Sequence, residues 1–359
     1  MKIYITGATG FVGSQVVAAA TARGHDVVAT VRPASTRRPR PAATPANGRP
    51  IGSVEAVRVD LRSRRGLAES LQGVDTVIHL AAAKEGDFST QFAGTVVATE
   101  NLLAAMSQAG VHRLVAVSTF SVYDYLNTKA GTLIDERTPT DRAPELRDEY
   151  AQTKLLQEEL FWAFGDEQDT EMVVLRPGMI YGPDNLWHAL LGAEFGTRYL
   201  RIGNNATLPL TYVENCAEAM VLAAERLATD TAKVDGQIVN LVDDHLPTQQ
   251  AYAELVAAHV ETPPTIPVPW PLVRTAAGIL KAGNQSLLSG RAKFPGIAVP
   301  DRLHARFKPL RYTNAKAKRL LGWEPRVGLL EAIRRSADVE RRSTTAAIPS
   351  GRNDTVAIR

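Results

Sequence analysis

Six short apolar runs are separated by longer stretches through the first half of the chain, and this alternation constrains the fold more than any other feature. The runs are KIYIT (2–6), DVVATV (26–31), VEAVRV (54–59), DTVIHL (75–80), RLVAVS (113–118) and EMVVLR (171–176), with helical patterns over 11–23, 88–109 and 146–165. Strands joined by crossover helices form a parallel sheet covered on both faces, so the chain is expected to be α/β, with a doubly wound parallel sheet over residues 1–176. The segment 34–53, ASTRRPRPAATPANGRPIGS, has no periodicity and reads as a mobile surface loop inserted into that core. From 177 to 340 the alternation weakens into helix-like segments, which predicts a smaller, mostly helical substrate-binding region with some segments returning to the core. Residues 341–359 lack a core pattern and read as a disordered tail.

Bulk charge points to a small-molecule partner. The 41 basic and 38 acidic residues nearly balance, which argues against nucleic acid. Cys216 is the sole cysteine and the seven histidines show no ligand spacing, so neither an internal disulfide nor a metal site is expected. No leader segment and no membrane span are expected, which places the protein in the cytoplasm. The stretch IPVPWPLVRTAAGIL (266–280) is the most lipid-compatible; a packed helix is preferred there over a peripheral membrane contact.

The first strand runs into TGATGFVGSQVV, which puts Gly7, Gly10 and Gly13 on a turn and the start of a helix. Glycine there permits a tight turn, approach of backbone N–H groups to a pyrophosphate, and close helix–strand contact, which is the Rossmann arrangement for a dinucleotide. The second strand ends in VVATVRPAS, without an acidic residue for a free ribose hydroxyl. Arg32 there can pair with a 2′-phosphate, so NADP(H) is favoured, with NAD(H) the alternative. Asp60, after the third strand, is placed to reach the adenine edge, with a capping or turn role as the alternative.

Tyr-x-x-x-Lys occurs as Tyr125/Lys129, Tyr150/Lys154 and Tyr312/Lys316. The first pair runs into a loop and the last lies outside the sheet pattern. Only Tyr150 falls on a helix between the fifth and sixth strands, where residues four apart share a face and Lys154 can sit beside the tyrosine. A free phenol titrates near 10, so an adjacent ammonium is expected to bring Tyr150 into range for proton transfer.

TGATGFVG, HLAAAK (79–84), VSTFSVYD (117–124), YAQTK (150–154), LRPGMIYGPDN (175–185) and LLGWEPRVGLLEAI (320–333) together make the chain similar to the extended short-chain dehydrogenase/reductase family over roughly residues 1–335. The resemblance implies an NAD(P)-dependent enzyme, a homodimer, Tyr150 as proton carrier and Lys154 on the nicotinamide ribose. It also places Thr119 at the substrate-oxygen hydroxyl position, with Ser118 as fallback. The cofactor contacts it implies are Gly7, Thr9, Gly10, Phe11, Val12, Gly13, Arg32, Asp60, Leu61, Leu80, Ala81, Ala82, Lys154 and Pro177. Thr95 stands where the family commonly has a helix asparagine, and His79 reads as a core residue. Nucleotide-sugar members commonly carry an Arg-Asp pair where TLPLTYVEN (207–215) has Leu208 and Pro209, whereas TYVEN resembles the 3β-hydroxysteroid dehydrogenase branch. The expected reaction is hydride transfer to or from a hydrophobic or uncharged secondary alcohol or ketone. The alternatives are a nucleotide-sugar epimerase/dehydratase, with a diphosphate site built from Arg198, Arg201, Arg291, Arg302 or Arg306, and a non-catalytic NADP-binding module.

Overall fold

A computed structural model describes residues 1–46, 50–195, 197–203, 205–287 and 299–346. Seven parallel strands form the central sheet, in the order Gln237–Leu241, Glu171–Pro177, Arg113–Val117, Thr76–His79, Lys2–Thr6, Asp26–Val31, Val54–Arg58. The six apolar runs each become a strand, and the seventh comes from the second half of the chain. Successive side chains leave a strand on opposite faces, so each inner strand feeds two cores. Ile3 and Ile5 join Val16, Val115 and Met220 under helices Phe11–Ala22 and Val213–Thr229. Tyr4 turns the other way, to Val77, Leu102, Leu114 and Phe161 under helices Ala98–Ala109 and Glu149–Gln168.

The first strand lies between Asp26–Val31 and Thr76–His79, and the chain moves outward in opposite directions from it. The carboxyl ends of these strands therefore open a crevice where the order reverses, the usual place for a ligand in a doubly wound sheet.

Ala42 and Gly52 tie the 34–53 segment to the end of the first helix: Ala42 N–H donates to Thr21 Oγ1 at 2.9 Å, and Gly52 N–H donates to the Thr21 carbonyl at 2.9 Å. Residues 47–49 fall outside the described part. The 266–280 stretch divides into a strand, Thr265–Val268, and a helix, Trp270–Leu287. Trp270 and Ala277 of that helix are buried, while Leu272 and Ile279 are exposed, because only one stripe finds a partner in helix Pro300–Phe307. The last helix, Leu329–Ala346, continues past residue 340 into the segment expected to lack structure, and 347–359 lie outside the described residues. No described helix is long and apolar enough to cross a membrane.

Candidate active site

The glycine turn forms a cradle that side chains would fill. Gly7 has φ +65°, the left-handed region, and a Cβ there would meet Ala81 N at 3.3 Å. A Cβ on Gly13 would lie 2.1 Å from the Gly7 carbonyl oxygen, so that helix can approach the strand only without one. Gly10 caps the helix with no side-chain bond, and the N–H groups of the first turn, from Phe11, Val12 and Gly13, have no acceptor within the helix. They suit an anionic pyrophosphate. Thr9 lies in the same turn, and Leu80–Ala82 run alongside it, with Leu80 and Ala81 N–H donating to Thr6 Oγ1 at 3.0 and 3.1 Å.

At the other end of the crevice Arg32 is exposed, and Arg37 Nη1 donates to the Thr9 carbonyl at 3.5 Å. Arg58 donates to the carbonyls of Pro33 and Ser35, at 2.9 and 3.1 Å, and so shapes the loop after the second strand. Asp60 is paired with Arg62 through two bonds of 3.0 and 2.8 Å. Arg62, with a smaller contribution from Arg32, holds its carboxyl below the usual range. The Leu61 carbonyl accepts from Asn101 at 3.0 Å.

Helix Glu149–Gln168 starts where Asp148 accepts from Ala151 N–H at 2.9 Å, a capping bond that sets the position of Tyr150 within the first turn. Its inner face is polar as well as apolar: Thr153, Lys154, Gln157 and Glu158 are buried beside Ala151, Leu155 and Phe161. Tyr150 meets the Thr119 side chain, yet burial pushes its phenol up to about 12. Lys154 Nζ turns the other way, donating to the Val117 carbonyl at 2.7 Å and to Gln157 Oε1. Burial brings Lys154 down to about 7, against the pull of Glu158. Lys154 Nζ thus finds its acceptors at Val117 and Gln157, and no hydrogen bond joins it to the Tyr150 hydroxyl among the contacts of the described residues.

Ser118 and Thr119 separate. The Ser118 hydroxyl donates to Glu158, which also pairs with Arg176. Thr119 Oγ1 accepts from Ser121 N–H at 3.2 Å and keeps its place next to Tyr150. Pro177 is buried at the carboxyl end of its strand, opposite Leu241. Thr95, in a π-helical turn Ala93–Val97, accepts from Ala83 N–H at 3.0 Å through its hydroxyl and from Thr99 at 2.6 Å through its carbonyl. His79 is fully buried and lowered to about 3, chiefly by burial and then by the Lys154 charge.

The other two tyrosine–lysine pairs do not share a helix. Tyr125 lies in a turn, with its hydroxyl donating to the Phe120 carbonyl at 2.9 Å, and Tyr312 lies on a two-residue strand ahead of the helix that carries Lys316. In the second half Leu208 and Pro209 are both buried, and Met179 N–H donates to the Pro209 carbonyl at 2.6 Å. Arg302 donates to the Arg147 carbonyl at 3.2 Å, Arg198 is exposed, Arg201 and Arg306 are half-buried, and Arg291 lies outside the described residues.

Residue-type reasoning missed Gln157 and Glu158. A signal was available: polar residues three and four past Lys154 fall on the same helix face, and that helix must bury this face against a sheet.

Comparison with known proteins follows the same lines. Residues 3–241 match the model of the NAD dependent epimerase/dehydratase family. The chain is 29% identical over 299 residues to a 3beta-hydroxysteroid-dehydrogenase/decarboxylase of Arabidopsis thaliana, covering 80% of this chain and 67% of that protein. It is 29% identical over 266 residues to the 2-alkyl-3-oxoalkanoate reductase of Stenotrophomonas maltophilia, covering 72% and 76%. Among solved structures, MoeE5 in complex with UDP-glucose and NAD superposes with a TM-score of 0.64 at 25% identity, over 96% of this chain and all (100%) of that one.

Proposed function

The chain belongs to the NAD dependent epimerase/dehydratase family and is an enzyme, and from that premise we propose a net oxidoreductase acting on a hydrophobic or uncharged secondary alcohol or ketone. The observation that carries this reading is the burial of Leu208 and Pro209. Nothing at those positions can offer a cation to a diphosphate, and a buried diphosphate without a partner is costly. The names of the two relatives, a dehydrogenase and a reductase, support the same side.

A bound nicotinamide supplies or takes the hydride. In the reducing direction the substrate carbonyl oxygen sits between Thr119 and Tyr150; the threonine hydroxyl donates a hydrogen bond to it, and the tyrosine hydroxyl delivers its proton as the carbon receives the hydride. A phenol near 12 releases that proton poorly at neutral pH. Lys154 counters this when its ammonium moves from the Val117 carbonyl toward the tyrosine and the nicotinamide ribose, since a nearby positive charge favours phenolate. Exposed Arg32, with Arg37 beside the glycine turn, favours NADP(H) over NAD(H).

The test is turnover with NADP(H) on 3-oxoalkanoates, hydroxysteroids and aromatic ketones, run beside UDP-sugars. Net change in reduced nicotinamide with the first panel is expected. The second reading, epimerase/dehydratase chemistry, is favoured by the UDP-glucose in the structural neighbour; it would be established by conversion of a UDP-sugar with no net change in the cofactor.

A further inference from the structure

The hydrogens of the buried group around Lys154 can be assigned one by one. Thr6 Oγ1 already accepts from Leu80 and Ala81 N–H, so its own hydrogen goes to His79 Nδ1 at 2.7 Å. His79 then carries its proton on Nε2, which donates to Thr99 Oγ1 at 2.9 Å, so the Gln157 amide nitrogen 3.3 Å from that ring atom is a neighbour and not its partner. Thr99 spends its hydrogen on the Thr95 carbonyl at 2.6 Å and can only accept from other groups. Gln157 must therefore present its amide nitrogen to Thr99, at 2.7 Å, with the Ala81 carbonyl 3.4 Å away, and this fixes its oxygen toward Lys154. His79, Thr99, Gln157 and Lys154 are all at least 97% buried, so water does not substitute for any of these partners.

We propose that Gln157 is a positioning residue for Lys154: its oxygen holds the ammonium against the Val117 carbonyl, and its amide ties that position to Ala81 and, through Thr99 and His79, to Thr6. Thr6 and Ala81 flank the turn at Gly7, where the cofactor pyrophosphate is expected. A shift of the Leu80–Ala82 loop on cofactor binding thus reaches Lys154 directly through Gln157, whose amide faces the Ala81 carbonyl, and through the longer relay of Thr6, His79, Thr99 and Gln157. Other groups acting on Lys154 are Glu158 from its own helix, shared with Ser118 and Arg176, and Lys84 from the loop after Ala83; His79 faces it as a neutral ring. The proposal rests on the preceding reading only in taking Lys154 as the working lysine.

The experiment follows the ¹³Cε and ¹⁵Nζ signals of isotope-labelled lysine against pH in the full chain without cofactor, with Lys154 assigned by their loss in Lys154→Arg. Gln157→Leu removes an acceptor from a buried ammonium, so the Lys154 midpoint should fall by about one pH unit or more; Gln157→Glu, of equal length, should raise it by a comparable amount. Thr99→Val should move the midpoint in the wild-type background and not further in Gln157→Leu. Unchanged midpoints in folded variants would overturn the proposal, leaving Gln157 a space-filling residue that affects only melting temperature. If Gln157→Leu does not fold, the absence of an upward shift in Gln157→Glu is sufficient to overturn it. Neither substrate nor turnover enters the measurement, so its failure and the failure of the net-redox reading are separate results.

Discussion

Ser118 and Thr119 are adjacent in the chain and serve different partners: Ser118 donates its hydroxyl to the buried Glu158 carboxylate, whereas Thr119 stands beside the Tyr150 hydroxyl. Thr119→Ala should lower kcat about 10²–10³-fold, as removal of one donor to a reacting oxygen does. Ser118→Ala should leave kcat near normal and cost about 1–3 kcal/mol of stability, because it strips a partner from a buried carboxylate. Steady-state kinetics and urea unfolding on both variants check this; loss of turnover in the serine variant alone would reverse the assignment.

Tyr150→Phe should lose at least about 10²-fold in turnover with cofactor affinity little changed, since only the proton carrier is removed. Tyr125→Phe gives up a buried bond to the Phe120 carbonyl and Tyr312→Phe keeps the ring that packs on Phe120, so both should keep their kcat. Cofactor fluorescence titration together with initial rates separates the cases. Near-normal turnover in Tyr150→Phe would place the proton transfer elsewhere.

Lys154 has a clear pH signature. Its folded value, about 7, lies below the ordinary value of 10.5, so between these limits the unfolded chain binds the extra proton and stability rises with pH. Below pH 7 the buried ammonium carries its full cost. The thermal midpoint of Lys154→Met, relative to the wild type, should therefore be highest at and below pH 6 and fall steadily from pH 7 to 10. A gap independent of pH would mean that the lysine is not titrating in the folded protein.

Arg32→Ala should weaken NADP(H) binding by roughly 1.5–3 kcal/mol, the range for a charge-assisted hydrogen bond, and leave NAD(H) binding unchanged. Isothermal titration with both cofactors provides the comparison. Equal NADP affinity in the two proteins would remove Arg32 from cofactor choice.

The strand–turn–helix at residues 2–22 was legible because its information is local: an apolar run, three glycines at fixed spacing, and a helix with small residues. That Tyr150 lies on a helix, and Tyr125 and Tyr312 on a turn and a short strand, was legible for the same reason. The direction of Lys154 could not be read. It depends on Gln157, Thr99 and the Val117 carbonyl, which come from three elements brought together by the sheet order. Strand Gln237–Leu241 was hidden for a related reason: its pairing with Glu171–Pro177 spans a long insertion of helices and small sheets. The packed face of helix Trp270–Leu287 agrees with the helix preferred there, while its exposed stripe was not legible because composition shows that a segment is apolar without showing which face finds a partner.

Each turnover is expected to change the oxidation state of the cofactor. The direct measurement is stoichiometry: product formed, by mass spectrometry, against reduced nicotinamide consumed or produced, by absorbance, on one verified substrate. Net redox predicts one cofactor per product, with both falling together in Tyr150→Phe. Product accumulating many-fold beyond a catalytic amount of cofactor, with no net absorbance change, would contradict the account and assign the enzyme to the hydride-returning reactions.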